Sequence, residues 1–327
     1  MKAAVLGGVG EPLRVEERRE PAENPGQALV ELRAAAFNRR DHWISVGAYP
    51  SLKLPAVLGS DGSGIVTGGP DEWLGREAVI CPSIGWGASE AGPGPGFQIL
   101  GMPGDGTFAE KIAVPAENLF PKPPHLSHRE AAALPLAGLT AWRAVKTKAG
   151  VKAGERVLVT GAGGGVALAA LDFSVASGAE VFVTSGSDAK IRKAVGRGAA
   201  GGVRYDQPGW RKRLPGSFDV IVDSAGGEGV GELVRLLGMG GRLVFYGGTR
   251  GAWPALLPQH MFFRQVSILG STMGSPKEFG EMCRFVAEKR LQPAVDSAYP
   301  LERAQEGMER LLSEERFGKV VLDIQDS

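Results

Sequence analysis

Residues 157–171, VLVTGAGGGVALAAL, leave few folds open. An apolar run of strand type, Val157 to Thr160, enters Gly161, Gly163, Gly164 and Gly165 and then an alanine-rich helical stretch. A second apolar run, AEVFVTS, follows at residues 179–185. Strand, glycine turn, helix and strand make one βαβ unit, whose crossover leaves the two strands parallel. A turn without Cβ atoms lets a dinucleotide pyrophosphate approach the backbone N–H groups at the helix N-terminus. Val166 lies at that helix start and joins the cofactor-binding set, and small Ala167 lets helix and strand pack closely. A glycine cluster alone is weak; the strand and helix around it make the signal specific. A purely structural tight turn is the competing reading.

The end of the second strand addresses the choice of nucleotide. A site that prefers NAD usually carries Asp or Glu there, about 20 residues beyond the glycines, for the ribose 2′-hydroxyl. Here the strand ends in Thr184, Ser185, Gly186 and Ser187, and the first acid, Asp188, falls in the next helix. The hydroxyls of Ser185 and Ser187 and the ammonium of Lys190 suit a 2′-phosphate, so NADP(H) is favoured over NAD(H). Ser187 also reads as a helix N-cap and Lys190 as a solvated helix residue, and both pairs of roles are compatible.

The same strand–helix rhythm continues through FDVIVDSAGG, GELVRLLGMGGRLVFYGG and QVSILGSTM, which predicts a doubly wound parallel sheet. Gly247 and Gly248 follow one of its strands at the C-terminal end, where such a sheet binds ligand. The first third differs. KAAVL, QALVELRAAAF, SGIVTG and REAVICP read as short strands between Gly, Pro and Asn, a mostly β domain of barrel type. Residues 85–106 are rich in Gly and Pro and read as a long loop. From Leu126 the chain turns helical, with Ser127 and Glu130 at capping-box spacing and Pro135 as a breaker. Two amphipathic helices and the strand GKVVLDI close the sequence and are expected to rejoin the β domain. The expected division is 1–124 with 272–327 for the β domain and 125–271 for the dinucleotide-binding domain.

Composition excludes other classes. Thirty-seven basic residues stand against 36 acidic ones, a net charge of +1, so there is no general field for nucleic acid or an anionic membrane. No apolar run reaches membrane-spanning length, and the N-terminus lacks a signal-peptide pattern. The expectation is a cytoplasmic protein acting on a small molecule. The two cysteines, Cys81 and Cys283, are far apart and exclude a disulfide framework or a cysteine-rich zinc site.

AAAFNRRDHW, LGSDGSGIV, LPLAGLTAW, VLVTGAGGGVA, FDVIVDSAGG, GGRLVFYGG, ILGSTMGS and FGKVVLDI appear in an order that resembles the medium-chain dehydrogenase/reductase superfamily. The resemblance covers nearly the whole chain and is strongest to the quinone-oxidoreductase branch and nearby zinc-type alcohol-dehydrogenase-like proteins. It implies an α/β protein with a GroES-like β-barrel domain, a Rossmann domain and an active site in the cleft between them. The departures matter as much as the matches. Where zinc-dependent members place their catalytic metal ligands, this chain has Asn38, Ser60 and Leu136, with Asp61 in place of the neighbouring Glu. Arg40 and Trp43 stand where the proton-relay hydroxyl and His would be. The loop that carries four structural-zinc cysteines in many relatives holds none. No zinc is expected.

The resemblance therefore implies a zinc-independent reductase of activated acceptors, quinones or α,β-unsaturated carbonyls. These need hydrogen bonds at oxygen rather than a Lewis acid. Asn38 matches an Asn of the zinc-free branch, as donor to a carbonyl or to the nicotinamide ribose, with a turn residue as the alternative. Tyr49 resembles a cleft Tyr, as phenol donor or as packing. Thr140 matches a position that touches the nicotinamide. Tyr205 with Lys190 resembles the pair flanking the adenosine phosphate in NADPH-using relatives. Lys319 reads equally as a cofactor neighbour or a solvated lysine. Asp41 is expected to hold a loop or pair with Arg40, and His42 to lie on the surface or cap a helix. The edge strand QVSILGSTM pairs across a two-fold axis in the family, so a homodimer is expected. Two other readings stay open: an alcohol dehydrogenase with an atypical metal site using Asp41, His42 and Asp61, and a non-catalytic NADPH-binding protein.

Overall fold

The structure, a computed structural model, describes residues 1–325. Its contacts form two compact units, Met1–Leu139 with Gly274–Ser327 and Thr140–Met273.

The first unit begins with strands β1 (Lys2–Leu6), β2 (Leu13–Glu17) and β3 (Gln27–Ala36), then helix α1 (Arg39–Ser45). Strands β4 (Ala56–Val57), β5 (Asp61–Gly68), β6 (Glu77–Ile80), β7 (Ser83–Ile84), β8 (Gln98–Ile99), β9 (Lys111–Pro115) and β10 (Leu119–Pro121) follow. Helices α2 (His128–Ala132) and α3 (Pro135–Trp142) come next, and the unit boundary falls inside α3. Alternation places apolar side chains on one face: in β3, Ala28, Val30 and Leu32 are buried while the residues between them are half-exposed. The Ser127 hydroxyl caps α2 by accepting from the Glu130 N–H, and the Glu130 carboxylate accepts from the Ser127 N–H in return. Pro135 starts α3, so the expected break is present between two short helices.

The second unit contains β11 (Arg156–Val159), α4 (Gly165–Ala176), β12 (Glu180–Ser185), α5 (Asp188–Val195), β13 (Gly201–Arg204), β14 (Phe218–Asp223), α6 (Val230–Leu236), β15 (Leu237–Phe245), α7 (Pro258–Phe262) and β16 (Ser267–Gly270). Its six strands lie in the order β13-β12-β11-β14-β15-β16, all parallel. Strand order reverses direction between β11 and β14, the switch point of a doubly wound sheet. Leu158, Ile221 and Leu243, from neighbouring strands, share a core with Val230 and Leu233 of α6.

The chain then returns to the first unit as α8 (Pro276–Lys289), β17 (Val295–Pro300), α9 (Ala304–Leu312) and β18 (Lys319–Asp323). Strand β18 pairs antiparallel with β3 and parallel with β17, which extends the sheet β10-β6-β5-β3-β18-β17. The closing strand thus does rejoin the β domain. The division expected near residue 125 falls instead after Leu139, because α2 packs on β3, β5 and β18 of the first unit. The second boundary falls after Met273 rather than 271. Strands β13 and β17 are additions to the sequence reading: GGVR has too few side chains, and VDSAYP too little alternation, to announce a strand.

Candidate functional site

In the second unit the glycine turn links β11 to α4 as read from the sequence. Gly161 has φ +71° and Gly163 φ +127°, regions that L side chains rarely adopt. A Cβ on Gly163 would lie 2.9 Å from Cδ of Lys190, so the flexible lysine stem lies against the turn. Gly164 is the N-cap of the 12-residue α4, Gly165 its first residue and half-buried Val166 its second. The backbone N–H groups of a first helical turn have no partner within the helix. Glycine turn and helix N-terminus together fit a dinucleotide pyrophosphate. The loop is fastened from behind. The Thr160 hydroxyl donates to Oδ1 of Asp223 at 2.7 Å, and Oδ2 of Asp223 accepts from the Gly226 N–H at 2.8 Å. Gly247 belongs to the same support, because a Cβ there would meet the Ser224 carbonyl oxygen at 2.3 Å; Gly248 has open space beside it.

The nucleotide-selecting segment divides its work. The Ser185 hydroxyl is buried and donates to the Ala162 carbonyl at 3.2 Å, so it ties the end of β12 to the glycine turn rather than facing a ligand. Ser187 is the N-cap of α5 and accepts from the Lys190 N–H. The Tyr205 hydroxyl lies beside Gly186, with the Arg250 guanidinium 5.7 Å from the Tyr205 ring centroid. Arg250 is a basic residue of this segment that the sequence reading did not single out, because a loop arginine carries no local signal. Thr140 is buried in α3, its hydroxyl 3.8 Å from the Met273 sulfur.

The first unit brings together a cluster drawn from three neighbouring strand ends. Asn38 follows β3, Asp61 opens β5 and Lys319 opens β18, and β3 lies between the other two in the sheet. Lys319 is only 5% exposed. Its ammonium donates to Oδ1 of Asn38 at 2.6 Å and to Oδ2 of Asp61 at 2.8 Å. The Asn38 amide donates one N–H to Oδ2 of Asp61 at 2.9 Å, and the Leu136 N–H donates to Oδ1 of Asp61 at 2.8 Å. Lysine is only a donor and the carboxylate only an acceptor, so the orientation of the Asn38 amide is forced. Its second N–H has no acceptor among the described residues. The solvated reading of Lys319 is corrected by this pairing, since an amine buried without a partner would be costly.

Beside this group, Arg40 donates to the Ser60 hydroxyl at 2.6 Å and to the Leu100 carbonyl at 2.7 Å, and the Tyr49 hydroxyl accepts from Arg40 at 3.2 and 3.3 Å. Arg40 therefore does not make the hydrogen-bonded pair expected with Asp41. Asp41 instead caps α1: one oxygen accepts from the Asn38 N–H at 2.7 Å, while the other is buried without a hydrogen-bond partner. Burial pushes the Asp41 carboxyl up to about 6, against the pull of Arg40 and of the Asn38 N–H. The His42 ring lies tilted against that of Trp43, centroids 5.2 Å apart, and burial holds its imidazole below the ordinary value.

Zinc does not fit these donors. The oxygens a metal would take from Asn38, Ser60 and Asp61 are already met by N–H groups of Lys319 and Arg40, two fixed cations, and Leu136 offers no ligand. Among the described residues no three His, Cys, Asp or Glu side chains gather as metal ligands, so Asp41, His42 and Asp61 do not form the atypical set. Among the same residues no helix is long and apolar enough to cross a membrane.

Comparison with known proteins agrees with both units. The family described as alcohol dehydrogenase GroES-like domain matches residues 24–124, and that described as zinc-binding dehydrogenase matches residues 197–322. The zinc-type alcohol dehydrogenase-like protein YogA of Leptosphaeria maculans is 35% identical over 99% of this chain and 98% of its own. A solved NAD-dependent alcohol dehydrogenase superposes with a TM-score of 0.92 at 40% identity, covering 99% of this chain and 100% of that one. The quinone oxidoreductase of Thermus thermophilus, solved also in complex with NADPH, gives 0.81 at 29% identity, again over 99% and 100%.

Proposed function

The chain belongs to the medium-chain dehydrogenase/reductase superfamily of oxidoreductases, and on that premise we propose that it is a zinc-independent, NADP(H)-dependent reductase of quinones or α,β-unsaturated carbonyls. The observation that carries the reading is the Asn38 amide, clamped by Lys319 and Asp61 so that only an N–H remains to offer. A site built this way receives an oxygen that gains negative charge. Reduction of a conjugated acceptor develops charge at the carbonyl oxygen, and a preorganised N–H donor stabilises it.

A bound reduced nicotinamide supplies the hydride, and water supplies the proton that completes the two-electron reduction. The chain's own residues bind and orient. The glycine turn from Gly161 to Gly165, with Val166, holds the pyrophosphate, and Thr140 and Gly248 border the dinucleotide. Lys190, Ser187 and Tyr205 receive the 2′-phosphate, with an ammonium and hydroxyls as its partners. Asn38 meets the acceptor oxygen, and Lys319 holds Asn38. An acceptor that is already electron-poor needs no Lewis acid.

The nucleotide is the finer point, because one similar structure is NAD-dependent and another was solved with NADPH. The end of β12, with no acid before Asp188, supports NADP(H). Oxidation of NADPH and NADH by metal-stripped protein, with a quinone and a conjugated enone as acceptors, tests the whole reading. Saturable NADPH turnover is expected, and Asn38→Ala is expected to lower kcat about a hundredfold with NADPH affinity unchanged. Turnover that requires added metal, or none in protein that binds NADPH, overturns it. The same proposal extends to a homodimer through the edge strand β16, which among the described residues pairs only with β15 and leaves its other edge open. Light scattering at low protein concentration checks it.

A further inference from the structure

Arg40 is a buried cation with neutral hydrogen-bond partners. It is 8% exposed, and its N–H groups meet Oγ of Ser60, the hydroxyl of Tyr49 and the carbonyl oxygens of Ile99 and Leu100. Burying a guanidinium is costly unless its donors are matched, and here each N–H has a dipole to meet. The consequence falls on Tyr49. Its oxygen accepts from Nε at 3.3 Å and from Nη2 at 3.2 Å, a fork that takes both lone pairs. The guanidinium carbon lies 4.8 Å from the ring centroid, so the cation also holds the ring. With both lone pairs taken, the phenol proton is left to be donated. Tyr49 is half-buried, and no acceptor for that proton exists among the described residues.

We propose that Arg40 is a positioning residue that turns Tyr49 into a committed hydrogen-bond donor for the acceptor oxygen. The inference rests on the reductase reading above. It gives the first unit a second donor of the same construction as Asn38: a neutral donor whose accepting atoms are locked by a buried cation, Lys319 behind Asn38 and Arg40 behind Tyr49. Two such donors suit an oxygen on which charge accumulates, and they discriminate against ligands that present a donor there.

The test compares wild type with Arg40→Met, Arg40→Lys, Tyr49→Phe and the Arg40→Met/Tyr49→Phe double variant. Turnover is measured with NADPH and cyclohex-2-enone. Arg40→Met and Tyr49→Phe are each expected to lower kcat roughly tenfold or more, with the KM for NADPH unchanged. The double variant is expected to lose no more than the worse single variant, and Arg40→Lys to recover part of the loss. Multiplying effects in the double variant, or an Arg40→Met effect confined to melting temperature, overturn the proposal. A second readout does not depend on turnover. Tyrosine labelled with 13C at the ring Cζ, with Tyr49 assigned from Tyr49→Phe, is observed in NADP+-loaded protein on adding cyclohexanone. The Tyr49 resonance is expected to move in wild type and not in Arg40→Met. No movement in wild type, or equal movement in both, overturns the inference, whereas absent NADPH turnover with a responding resonance overturns only the reductase reading.

Discussion

The two units place their polar groups in opposite ways. In the second, the glycine turn before α4 offers backbone N–H groups and needs no formal charge of its own; what it needs is the absence of side chains, at Gly161 and Gly163 above all. In the first, four charged side chains, Arg40, Asp41, Asp61 and Lys319, are buried within one cluster. A backbone site is made by a dozen consecutive residues. A charged site must be compensated by partners from elsewhere in the chain, here up to 281 positions apart. The first kind tolerates change around it; the second fails when one partner goes.

The largest expected effect breaks that compensation. Lys319→Met leaves the Asp61 carboxylate buried without its cation and Asn38 without its clamp, and is expected to cost about 3–5 kcal/mol of stability. Urea unfolding measures it, and a loss under about 1 kcal/mol would mean the cluster is not held by charge pairing. Asp41 comes next. Burial raises its carboxyl from 3.8 to about 6 in the folded chain, so its contribution to stability is fully present below 3.8 and is lost as pH rises through 6. The gap is worth about 3 kcal/mol. Asp41→Asn, which keeps an oxygen for the Asn38 N–H, should therefore flatten the pH dependence of stability between pH 4 and 7 and leave the variant more stable than wild type at pH 7. Unchanged curves would show that water reaches the carboxyl.

Smaller effects belong to the second unit. Gly163→Ala combines a strained φ of +127° with a contact against Lys190, and should weaken NADPH binding about tenfold to a hundredfold while the unit stays folded. Fluorescence titration reports it. Lys190→Ala should weaken NADPH about tenfold and leave NADH unchanged, the value of one charge-assisted contact. Equal weakening of both nucleotides would place Lys190 on the turn alone, where its stem already lies.

Some of this was legible before any coordinates. Glycine between an apolar strand and an alanine-rich helix states its backbone requirement locally, and the order of strands and helices states a parallel sheet. The capping box at Ser127 and the break at Pro135 were equally plain. Ser185 and Arg40 were not. A hydroxyl at a strand end reads the same whether it faces a ligand or the Ala162 carbonyl, and nothing in NRRDHW says that Arg40 turns to Ser60 and Tyr49 instead of Asp41.

Residues alone therefore determine the second unit's strand–turn–helix, because that is a matter of which atoms are present at consecutive positions. That Lys319 lies against Asn38 and Asp61 required the sheet. Only the pairing of β18 with β3, and of β3 with β5, sets three strand ends side by side. Burial then sets Lys319 against the carboxylate of Asp61, and local sequence holds no record of which partner that is.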